Sequence, residues 1–351
     1  MKFVVLGAGA TGGLLGAHLA RAGEDVTLIA RGPHLAAMRA DGLRVTGLGG
    51  SFTVHPECTD DLAPIRSADV VFVTVKAHSL TPLAERLGAE LGENTSLVGA
   101  QNGIPWWFFD GFGGQLEGTR LESVDPGGVI ARNIDLARVI ASVVYPAVRM
   151  LDFGVLEHLE GNRISLGEPN GPPSPRIVEV SATLKRAGFK APVQKRIRPE
   201  IWLKLLGNAS FNPISALSGA TLSEIISDPS GLALVRAMME EVERIGRAIG
   251  IEIPLDIDRR VDAAARVGEH KTSMLQDLEA GRRLELGATL AAVVEIAQLL
   301  QLPVPHLEAV LACATLLDQR LQRSGGSRSQ RDGGPPAPAE QGLLDGTRQN
   351  R

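Results

Sequence analysis

The feature that most constrains the fold is a glycine-rich turn placed directly after the first apolar run. The chain begins MKFVVLGAGATGG, so KFVVL (2–6) is followed by Gly7, Gly9 and Gly12 in the order G-x-G-x-x-G. Residues 11–22 then carry leucines at helical spacing. A strand, a glycine turn and a helix in this order form the βαβ unit that binds a dinucleotide. The N-terminus therefore predicts a parallel sheet with a nucleotide-binding loop at its edge.

Each glycine of the turn has a separate expected role. Gly7 allows the tight turn, Gly9 lets the backbone approach a pyrophosphate, and Gly12 lets helix and strand pack closely. The free N–H groups and the positive dipole end of the following helix then face the phosphates. The predicted cofactor-binding residues of the loop are Gly7, Ala8, Gly9, Ala10, Thr11 and Gly12. The alternative is a glycine turn with a purely structural role.

Three later apolar runs continue the same pattern. They are VTLIA (26–30), DVVFVTV (69–75) and SLVGA (96–100). Their β-branched residues show no polar alternation, which is typical of parallel strands buried on both faces. Helical segments separate the runs, and this predicts a doubly wound α/β sheet. We expect this Rossmann-type domain to occupy residues 1–195.

The sequence from about residue 196 onward is dominated by helical patterns. These patterns cover residues 198–217, 222–249, 255–280 and 287–301, and a closing helix follows LPVP (302–305). They predict an all-α domain over residues 196–323, behind the α/β domain. Residues 324–351 are rich in Gly, Pro, Ser and Arg and hold too few apolar side chains to pack. That composition predicts a disordered tail.

Composition excludes several classes of function. A chain of 351 residues suits two domains. A net charge of -4 and an aromatic content of 4% give no broad attraction for nucleic acid or anionic membranes. No apolar run reaches the roughly 20 residues needed to cross a bilayer. Cys58 and Cys313 fit no metal or redox spacing, so we expect a cytoplasmic protein with two reduced thiols and no metal.

The end of the second strand predicts which dinucleotide binds. NAD sites usually place Asp or Glu there to hold the ribose hydroxyls, whereas this strand ends at Arg31. A guanidinium suits a 2′-phosphate. Lys76, at the carboxyl end of DVVFVTVK, is a second expected phosphate contact. We therefore predict NADPH/NADP+ rather than NADH, the alternative for Arg31 being a solvated surface arginine.

Asn102 follows the strand SLVGA in the tripeptide QNG. An Asn-Gly pair often marks only a turn. At the carboxyl edge of a parallel sheet, however, its amide is in a position to reach the nicotinamide or the substrate. Both interpretations remain open at this point.

A single charge interrupts the apolar segment PEIWLKLLGNASFNPISALSG (199–219). Lys204, Asn208 and Asn212 are spaced four residues apart, so on one helix they share a stripe about 80° wide. Apolar neighbours flank that stripe, and a lysine buried there has a lowered pKa that eases proton donation. The alternative is a lysine that snorkels at a domain surface. Pro213 is expected to end or kink the helix just after Asn212.

The residues above resemble those of the ketopantoate reductases (2-dehydropantoate 2-reductases), in the 6-phosphogluconate-dehydrogenase-like superfamily. The resemblance runs from the N-terminus to about Leu321. It rests on GAGATGG with Arg31, VTVKA with Lys76, QNG with Asn102, PEIWLKLLGNASFNP, and TSMLQDLEAGRRLE with Ser273 and Glu285. The related β-hydroxyacid dehydrogenases carry the asparagine before the lysine, whereas here the lysine comes first.

The resemblance implies a reaction. NADPH would deliver hydride to C2 of a 2-oxo acid, and Lys204 would donate the proton to the carbonyl oxygen. The implied substrate is ketopantoate, reduced to pantoate for pantothenate and coenzyme A synthesis. Family members include dimers and monomers, so a homodimer remains open.

The resemblance also implies roles for the remaining site residues. Asn208, Asn212 and Ser273 are implied substrate contacts, and Asn102 is implied to contact both cofactor and substrate. Glu285 matches the family's essential glutamate, near both the reacting centre and the cofactor. Two roles for it remain open, which are to keep Lys204 charged and to bond the substrate hydroxyl.

Two departures from the family pattern leave the substrate open. QNG is followed by the long segment IPWWFFDGFGGQLEGTRLESVDPGGVIA, whose Trp106 and Trp107 either line a larger pocket or pack the loop. Glu285 is followed by Leu286 and Gly287, where the family often continues E-I-D. A reductase of a bulkier 2-oxo acid or ketone is thus the second hypothesis. A non-catalytic nucleotide-binding sensor is the third.

Overall fold

The structure is a computed structural model that describes residues 1–253, 256–269 and 271–331. Its strands are β1 Lys2–Leu6, β2 Asp25–Ile29, β3 Leu43–Gly47, β4 Phe52–Val54, β5 Glu57–Thr59, β6 Val70–Val73, β7 Ser96–Gly99, β8 Val139–Val144, β9 Ala147–Asp152, β10 Val155–Glu160, β11 Ile164–Gly167 and β12 Val193–Gln194. Its helices are α1 Ala10–Arg21, α2 Gly32–Asp41, α3 Ala77–Leu80, α4 Ala84–Glu90, α5 Val129–Asn133, α6 Pro175–Arg186, α7 Arg198–Asn208, α8 Phe211–Ser218, α9 Leu222–Ser227, α10 Pro229–Ala248, α11 Ile257–Val267, α12 Ser273–Glu279, α13 Ala292–Leu299 and α14 Pro305–Arg331.

The large sheet has eight strands in the order β12-β11-β8-β7-β6-β1-β2-β5. Neighbouring strands are parallel except for β11, which pairs antiparallel with β8. The run β5-β2-β1-β6-β7-β8 has the 3-2-1-4-5-6 order of a dinucleotide-binding sheet. The predicted doubly wound α/β sheet, followed by helices, is confirmed.

A second, four-stranded sheet was not predicted. Its order is β4-β3-β10-β9, and it covers the outer face of α1. A Cβ added at Gly13 of α1 would lie 2.7 Å from the Leu156 side chain of β10, which shows how closely the two layers pack. In this sheet β3 pairs with β10 from a distant part of the chain. Local apolar periodicity carries no signal for such pairing.

The parallel strands bring their carboxyl ends to one edge of the large sheet. The glycine loop follows β1, Arg31 follows β2, Lys76 follows β6 and Asn102 follows β7. Ligands of such sheets bind at this edge. Residues far apart in the chain are therefore gathered where the helical region begins to cover the sheet.

The predicted helix over 198–217 is wrong in its continuity. The helix is interrupted at Ala209 and Ser210, so α7 ends at Asn208 and Asn212 lies in the first turn of α8. Pro213 explains the position of the break, because it has no N–H to donate to the carbonyl of Ala209. In the first turn of α8 that N–H would have had no intrahelical partner. Lys204 and Asn212 thus belong to different helices and do not share a stripe.

Aromatic residues of the segment after QNG join the two halves of the molecule. Phe108 and Phe109 are each 1% exposed, and the Phe108 ring lies 6.0 Å from that of the fully buried Trp202 on α7. They belong to one hydrophobic core that extends from the sheet into the helical region. Arg198 fastens the segment from outside, since its guanidinium donates to the carbonyl of Phe108 at 2.7 Å.

The C-terminal helix is longer than expected. Helix α14 continues to Arg331, so residues 324–331 are helical where a disordered tail was predicted. Extending an existing helix adds one hydrogen bond per residue and needs no new nucleus. The remainder of the predicted tail, residues 332–351, lies outside the described residues. Within the described part, none of the helices is both long and apolar enough to cross a membrane.

Candidate active site

The glycine loop presents an open cradle at the start of α1. The N–H groups of Gly7 and Ala8 both donate to the carbonyl of Ile29, at 3.0 and 2.9 Å, and so fix the loop to β2. The N–H groups of Ala10, Thr11 and Gly12 belong to the first turn of α1 and have no partner within the helix.

The glycines leave that cradle free. Gly7 has a φ of +104°, which favours glycine. A Cβ at Gly12 would overlap the carbonyl oxygen of Gly7, whereas a Cβ at Gly9 would meet nothing within 4 Å. The backbone at Gly9 is therefore open to a ligand, and the loop fits the pyrophosphate of a dinucleotide.

His34 supports the loop from behind and was missed by the sequence analysis. Its Nε2 lies 2.7 Å from the carbonyl oxygen of Ala8, and its Nδ1 accepts the N–H of Gly154 at 3.0 Å. This pattern requires a neutral ring with the proton on Nε2, and burial lowers the pKa of His34 accordingly. A histidine in the first turn of a helix has no local signature for this role, because both partners come from other elements.

Arg31 lies beside the loop, as the N-cap residue of α2. It is two residues beyond Ile29, which accepts the loop N–H groups, and its side chain is exposed. Among the residues that the structure describes, it forms no ion pair. The guanidinium is thus free to meet a ligand at the end of β2, and its reading of a 2′-phosphate stays a prediction.

The structure places the Lys76 ammonium against Asp277 of α12, in an ion pair across the cleft between the sheet edge and the helical region. The same carboxylate accepts a hydrogen bond from Arg282 at 3.0 Å. Lys76 thus ties the sheet edge to the helical region, and contact with a cofactor phosphate stays a prediction.

Lys204 extends from α7 to the sheet edge. Its Nζ donates to Oδ1 of Asn102 at 2.7 Å and to the carbonyl of Val144 at the end of β8. An ammonium has three donors, so these two bonds leave one for a ligand. Burial lowers the pKa of Lys204, Glu285 raises it and Arg260 lowers it, and the net pKa is about 8.

Asn102 is held in place by its own glycine. Gly103 has a φ of +94°, and a Cβ there would overlap the carbonyl oxygen of Ala288. The next N–H, that of Ile104, donates to the same carbonyl at 2.6 Å. Because the amide oxygen of Asn102 faces the Lys204 ammonium, its NH2 group points away from the lysine and can donate to a ligand.

Glu285 precedes a π-helical turn at Gly287–Ala291. Its Oε1 accepts the N–H of Ala77 at 3.3 Å, which places the carboxyl beside Lys76. Burial raises the pKa of Glu285, and Lys76 is the strongest opposing influence. The same carboxylate raises the pKa of Lys204. Of the two roles left open by the sequence, this arrangement supports the one in which Glu285 keeps Lys204 charged.

The three other implied substrate contacts form no hydrogen bond with Lys204 among the described residues. Asn208 and Asn212 are partly buried on either side of the break between α7 and α8, and Ser273 is the exposed first residue of α12. Helix α12 packs against α8, so Ser273 and Asn212 come from neighbouring helices. Their contact with substrate stays a prediction.

An apolar cavity of about 60 Å³ lies beside Asn102. Trp106 and Trp107 both line it, and Trp107 is also a core residue at 3% exposure. Trp107 therefore both lines the pocket and packs the loop, as the two interpretations of this pair predicted. The buried Nε2 of Gln101, another lining residue, has no hydrogen-bond partner among the described residues.

The described residues offer little for metal binding or thiol chemistry. The described residues hold no cluster of His, Cys, Asp and Glu that could bind a metal ion. Cys58 is a buried free thiol, and burial raises its pKa to about 11, so it is poorly reactive. Cys313 is free and exposed.

The glycine at position 287, where the family often has an aspartate, has a steric cause. A Cβ at Gly287 would lie 2.5 Å from the carbonyl oxygen of Ser123, in the long segment after QNG. Glu295 of α13 holds that segment by accepting the N–H groups of Glu122 and Ser123, at 2.8 and 2.9 Å. The long segment therefore occupies the space that an aspartate would need at position 287.

We expect Gly287→Ala to destabilise the protein by about 1–3 kcal/mol, the usual cost of overpacking a fixed contact. Thermal unfolding would show this as a lower Tm. Gln298→Ala, an exposed change on α13, is the matched control and should leave the Tm unchanged. Equal Tm values for Gly287→Ala and the wild type would mean that the segment yields freely.

The fold and site together define a dinucleotide-binding oxidoreductase that pairs a Rossmann domain with a helical domain. Residues 3–105 match the family model described as ketopantoate reductase PanE/ApbA, and residues 196–318 match its C-terminal model. The chain belongs to the ketopantoate reductase family.

Individual relatives agree with that assignment. A 2-dehydropantoate 2-reductase of Mesorhizobium japonicum is 49% identical over 322 residues, covering 89% of this chain and 96% of the relative. A putative ketopantoate reductase of Ralstonia solanacearum is similar in structure, with a TM-score of 0.85, 40% identity and coverage of 92% and 98%. A PanE/ApbA family ketopantoate reductase of Ralstonia eutropha has a TM-score of 0.79 at 26% identity, with coverage of 92% and 100%.

Proposed function

We propose that this chain is an NADPH-dependent reductase that converts 2-dehydropantoate (ketopantoate) to pantoate, for pantothenate and coenzyme A synthesis. The observation that carries the proposal is the Lys204 ammonium, held at the sheet edge by Asn102 and Val144 with one donor left over. The 2-dehydropantoate 2-reductase of Mesorhizobium japonicum, at 49% identity, supports the choice of reaction.

The residues of the cleft have separate roles in cofactor binding and proton donation. The free N–H groups of Ala10, Thr11 and Gly12 would hold the pyrophosphate, and Arg31 the 2′-phosphate. The bound cofactor supplies hydride to C2 of the substrate. Lys204 directs its remaining N–H at the substrate carbonyl oxygen, polarises it and gives it the proton.

Two neighbours keep the lysine in that role. Asn102 orients the ammonium through Oδ1 and keeps its NH2 group for cofactor or substrate. Glu285 raises the pKa of Lys204 and so favours the charged form that donates the proton. Desolvation and Arg260 act in the opposite direction, and the resulting pKa of about 8 suits an acid working near neutral pH.

The cavity beside Asn102 supports a compact branched substituent on C3 of the substrate. A volume of about 60 Å³ holds only about four to six water-sized groups. Its lining is mostly apolar, which suits methyl groups, and the unpartnered amide of Gln101 offers a donor for a hydroxyl. Ketopantoate carries two methyl groups and a hydroxymethyl group at that position.

The second candidate is a reductase of a bulkier 2-oxo acid or ketone, favoured by Trp106 and Trp107 on the cavity wall. An NADPH oxidation assay with three substrates separates the two. The three substrates are ketopantoate, 3,3-dimethyl-2-oxobutanoate, which lacks only the hydroxyl, and phenylglyoxylate. We expect the highest kcat/KM for ketopantoate. A higher value for phenylglyoxylate would establish the second candidate, and no turnover of any of the three would remove both.

We expect the reductive kcat/KM to be constant below about pH 8 and to fall as pH rises, by about tenfold per pH unit, because the neutral amine cannot donate a proton. Oxidation of the 2-hydroxy acid needs the amine as base, so its rate should rise through the same pH. Lys204→Arg cannot titrate in this range, and any residual activity should stay flat near pH 8. A wild-type profile without an inflection between pH 7 and about 9.5 would contradict the assignment of Lys204.

A further inference from the structure

Arg260 of α11 lies directly against the lysine helix. A Cβ added at Gly207 of α7 would overlap its Nη2 and lie 2.8 Å from its Cζ. The guanidinium therefore covers Gly207, where any side chain would displace it. Gly207 follows Lys204 by three residues, and such positions are neighbours on a helix surface. Arg260 and Lys204 thus lie side by side along α7.

Electrostatic influences agree with this placement of Arg260 near Lys204. Arg260 lowers the pKa of Lys204, as a second cation in electrostatic reach must. Tyr145 stands close to both, since its ring centroid is 5.7 Å from Nζ of Lys204 and its phenol affects the pKa of Arg260. The cleft therefore holds two neighbouring cations beside the position of the substrate carbonyl.

Arg260 has no anionic partner among the described residues, although it is partly buried. Other partly buried arginines either pair with a carboxylate, as Arg176 does with Glu168 at 2.7 Å, or donate to backbone carbonyls, as Arg198 does to Phe108 at 2.7 Å. Burial lowers the pKa of Arg260, and the opposing influence comes from the Tyr145 phenol rather than a carboxylate. A partly dehydrated guanidinium without a counter-ion is unfavourable, so this position is suited to an anionic group brought by the ligand.

We propose that Arg260 binds the carboxylate of the 2-oxo acid substrate. The inference rests on the proposed reductase function and adds the residue that makes the site specific for acids. The planar guanidinium accommodates a carboxylate through two parallel hydrogen bonds. Carboxylate and oxo group occupy adjacent carbons of a 2-oxo acid, so they need donors that lie close together, and Arg260 covers the α7 residue about one turn after Lys204.

The test compares a charged substrate with an uncharged one of the same carbon skeleton. The substrates are ketopantoate and its lactone, in which the carboxylate has become an ester, both assayed with NADPH. We expect Arg260→Leu to lower kcat/KM for ketopantoate by at least about 100-fold, the loss typical of a broken buried charge pair. For the lactone the change should stay below about threefold. Arg259→Leu, at the adjacent and exposed position, is the matched control and should change neither value.

A binding measurement gives a readout independent of turnover. Calorimetry should show weaker binding of pantoate to Arg260→Leu and unchanged binding of pantolactone. Arg260→Lys retains the charge without the fork and should recover part of the affinity for pantoate. Gly207→Ala leaves the arginine in the chain but displaces its guanidinium, so it should reduce kcat/KM for the acid and spare the lactone.

These experiments distinguish a failure of the Arg260 inference from a failure of the proposed reductase function. A wild-type enzyme that reduces neither substrate removes the proposed function and this inference together. An active wild type whose Arg260→Leu variant keeps its preference for the acid overturns the inference alone. Equal losses for acid and lactone in both Arg260→Leu and Arg260→Lys, with wild-type Tm values, would also overturn it, because they would show a general effect on Lys204.

Discussion

Lys204→Met is expected to lower the reductive kcat by about 1,000-fold, within the range of 10²–10⁴ that general acid catalysis usually supplies. Methionine retains the length of the side chain but removes the donor that polarises the carbonyl and the proton it transfers. The amide of Asn102 also loses its partner, but the hydrogen bond from Ile104 to Ala288 still holds the loop after β7. Steady-state kinetics with NADPH and ketopantoate give the measurement.

Two controls separate chemistry from folding. Lys185→Met changes an exposed lysine of α6 and should keep the wild-type kcat. NADPH binding to Lys204→Met, followed by fluorescence titration, should stay close to that of the wild type, because the glycine loop is built without the lysine. A Lys204→Met enzyme with full activity would reject Lys204 as the proton donor. A wild type that binds NADPH without reducing any 2-oxo acid would support the nucleotide-sensor hypothesis.

Arg31→Ala is expected to lower kcat/KM for NADPH by about 10- to 100-fold, which is the usual contribution of hydrogen bonds to a charged group. The value for NADH should change by less than about threefold, because an exposed guanidinium contributes little to holding a ribose diol. Arg31→Glu should go further and favour NADH, since a carboxylate at this position holds the two ribose hydroxyls.

The matched control for this prediction is Arg86→Ala, which removes an exposed arginine of α4 and should leave the kcat/KM values for NADPH and NADH as they are. Increasing salt should weaken NADPH binding to the wild type more than to Arg31→Ala, because exposed charge pairs are screened. Equal losses for NADPH and NADH in Arg31→Ala would mean that the arginine does not read the 2′-phosphate.

The fold was predictable where the signal is local. The apolar run before Gly7 and the G-x-G-x-x-G spacing specify a strand, a turn and a helix within about twenty residues, and β1 and α1 form there. The second sheet was not predictable, since β3 and β10 are far apart in the chain and pair only in the folded structure. The helix break at Ala209 was readable in principle, because Pro213 cannot donate to that carbonyl, but the amide spacing favoured a continuous helix.

The site shows the same division. Residue types identified Lys204, Asn102 and Glu285 as candidates, but the pairing of Lys204 with Asn102 joins residues separated by 102 positions. No spacing rule reaches that far. Asn208 and Asn212, which matched the lysine in spacing, form no hydrogen bond with it among the described residues, and Arg260 covers Gly207 of the lysine helix.

The class of protein, the nucleotide loop, the arginine beside it and the lysine that stands out in an apolar helix could all be predicted from the amino-acid sequence. Each of these depends on residue type and near-neighbour spacing, through which backbone geometry acts directly. Which side chains contact each other depends instead on the tertiary structure. It placed Asn102 against Lys204, Asp277 against Lys76, Ser123 against Gly287 and Arg260 against Gly207. These contacts form between distant segments because a shared core brings the sheet edge and the helices together, and burial then sets the charges within them.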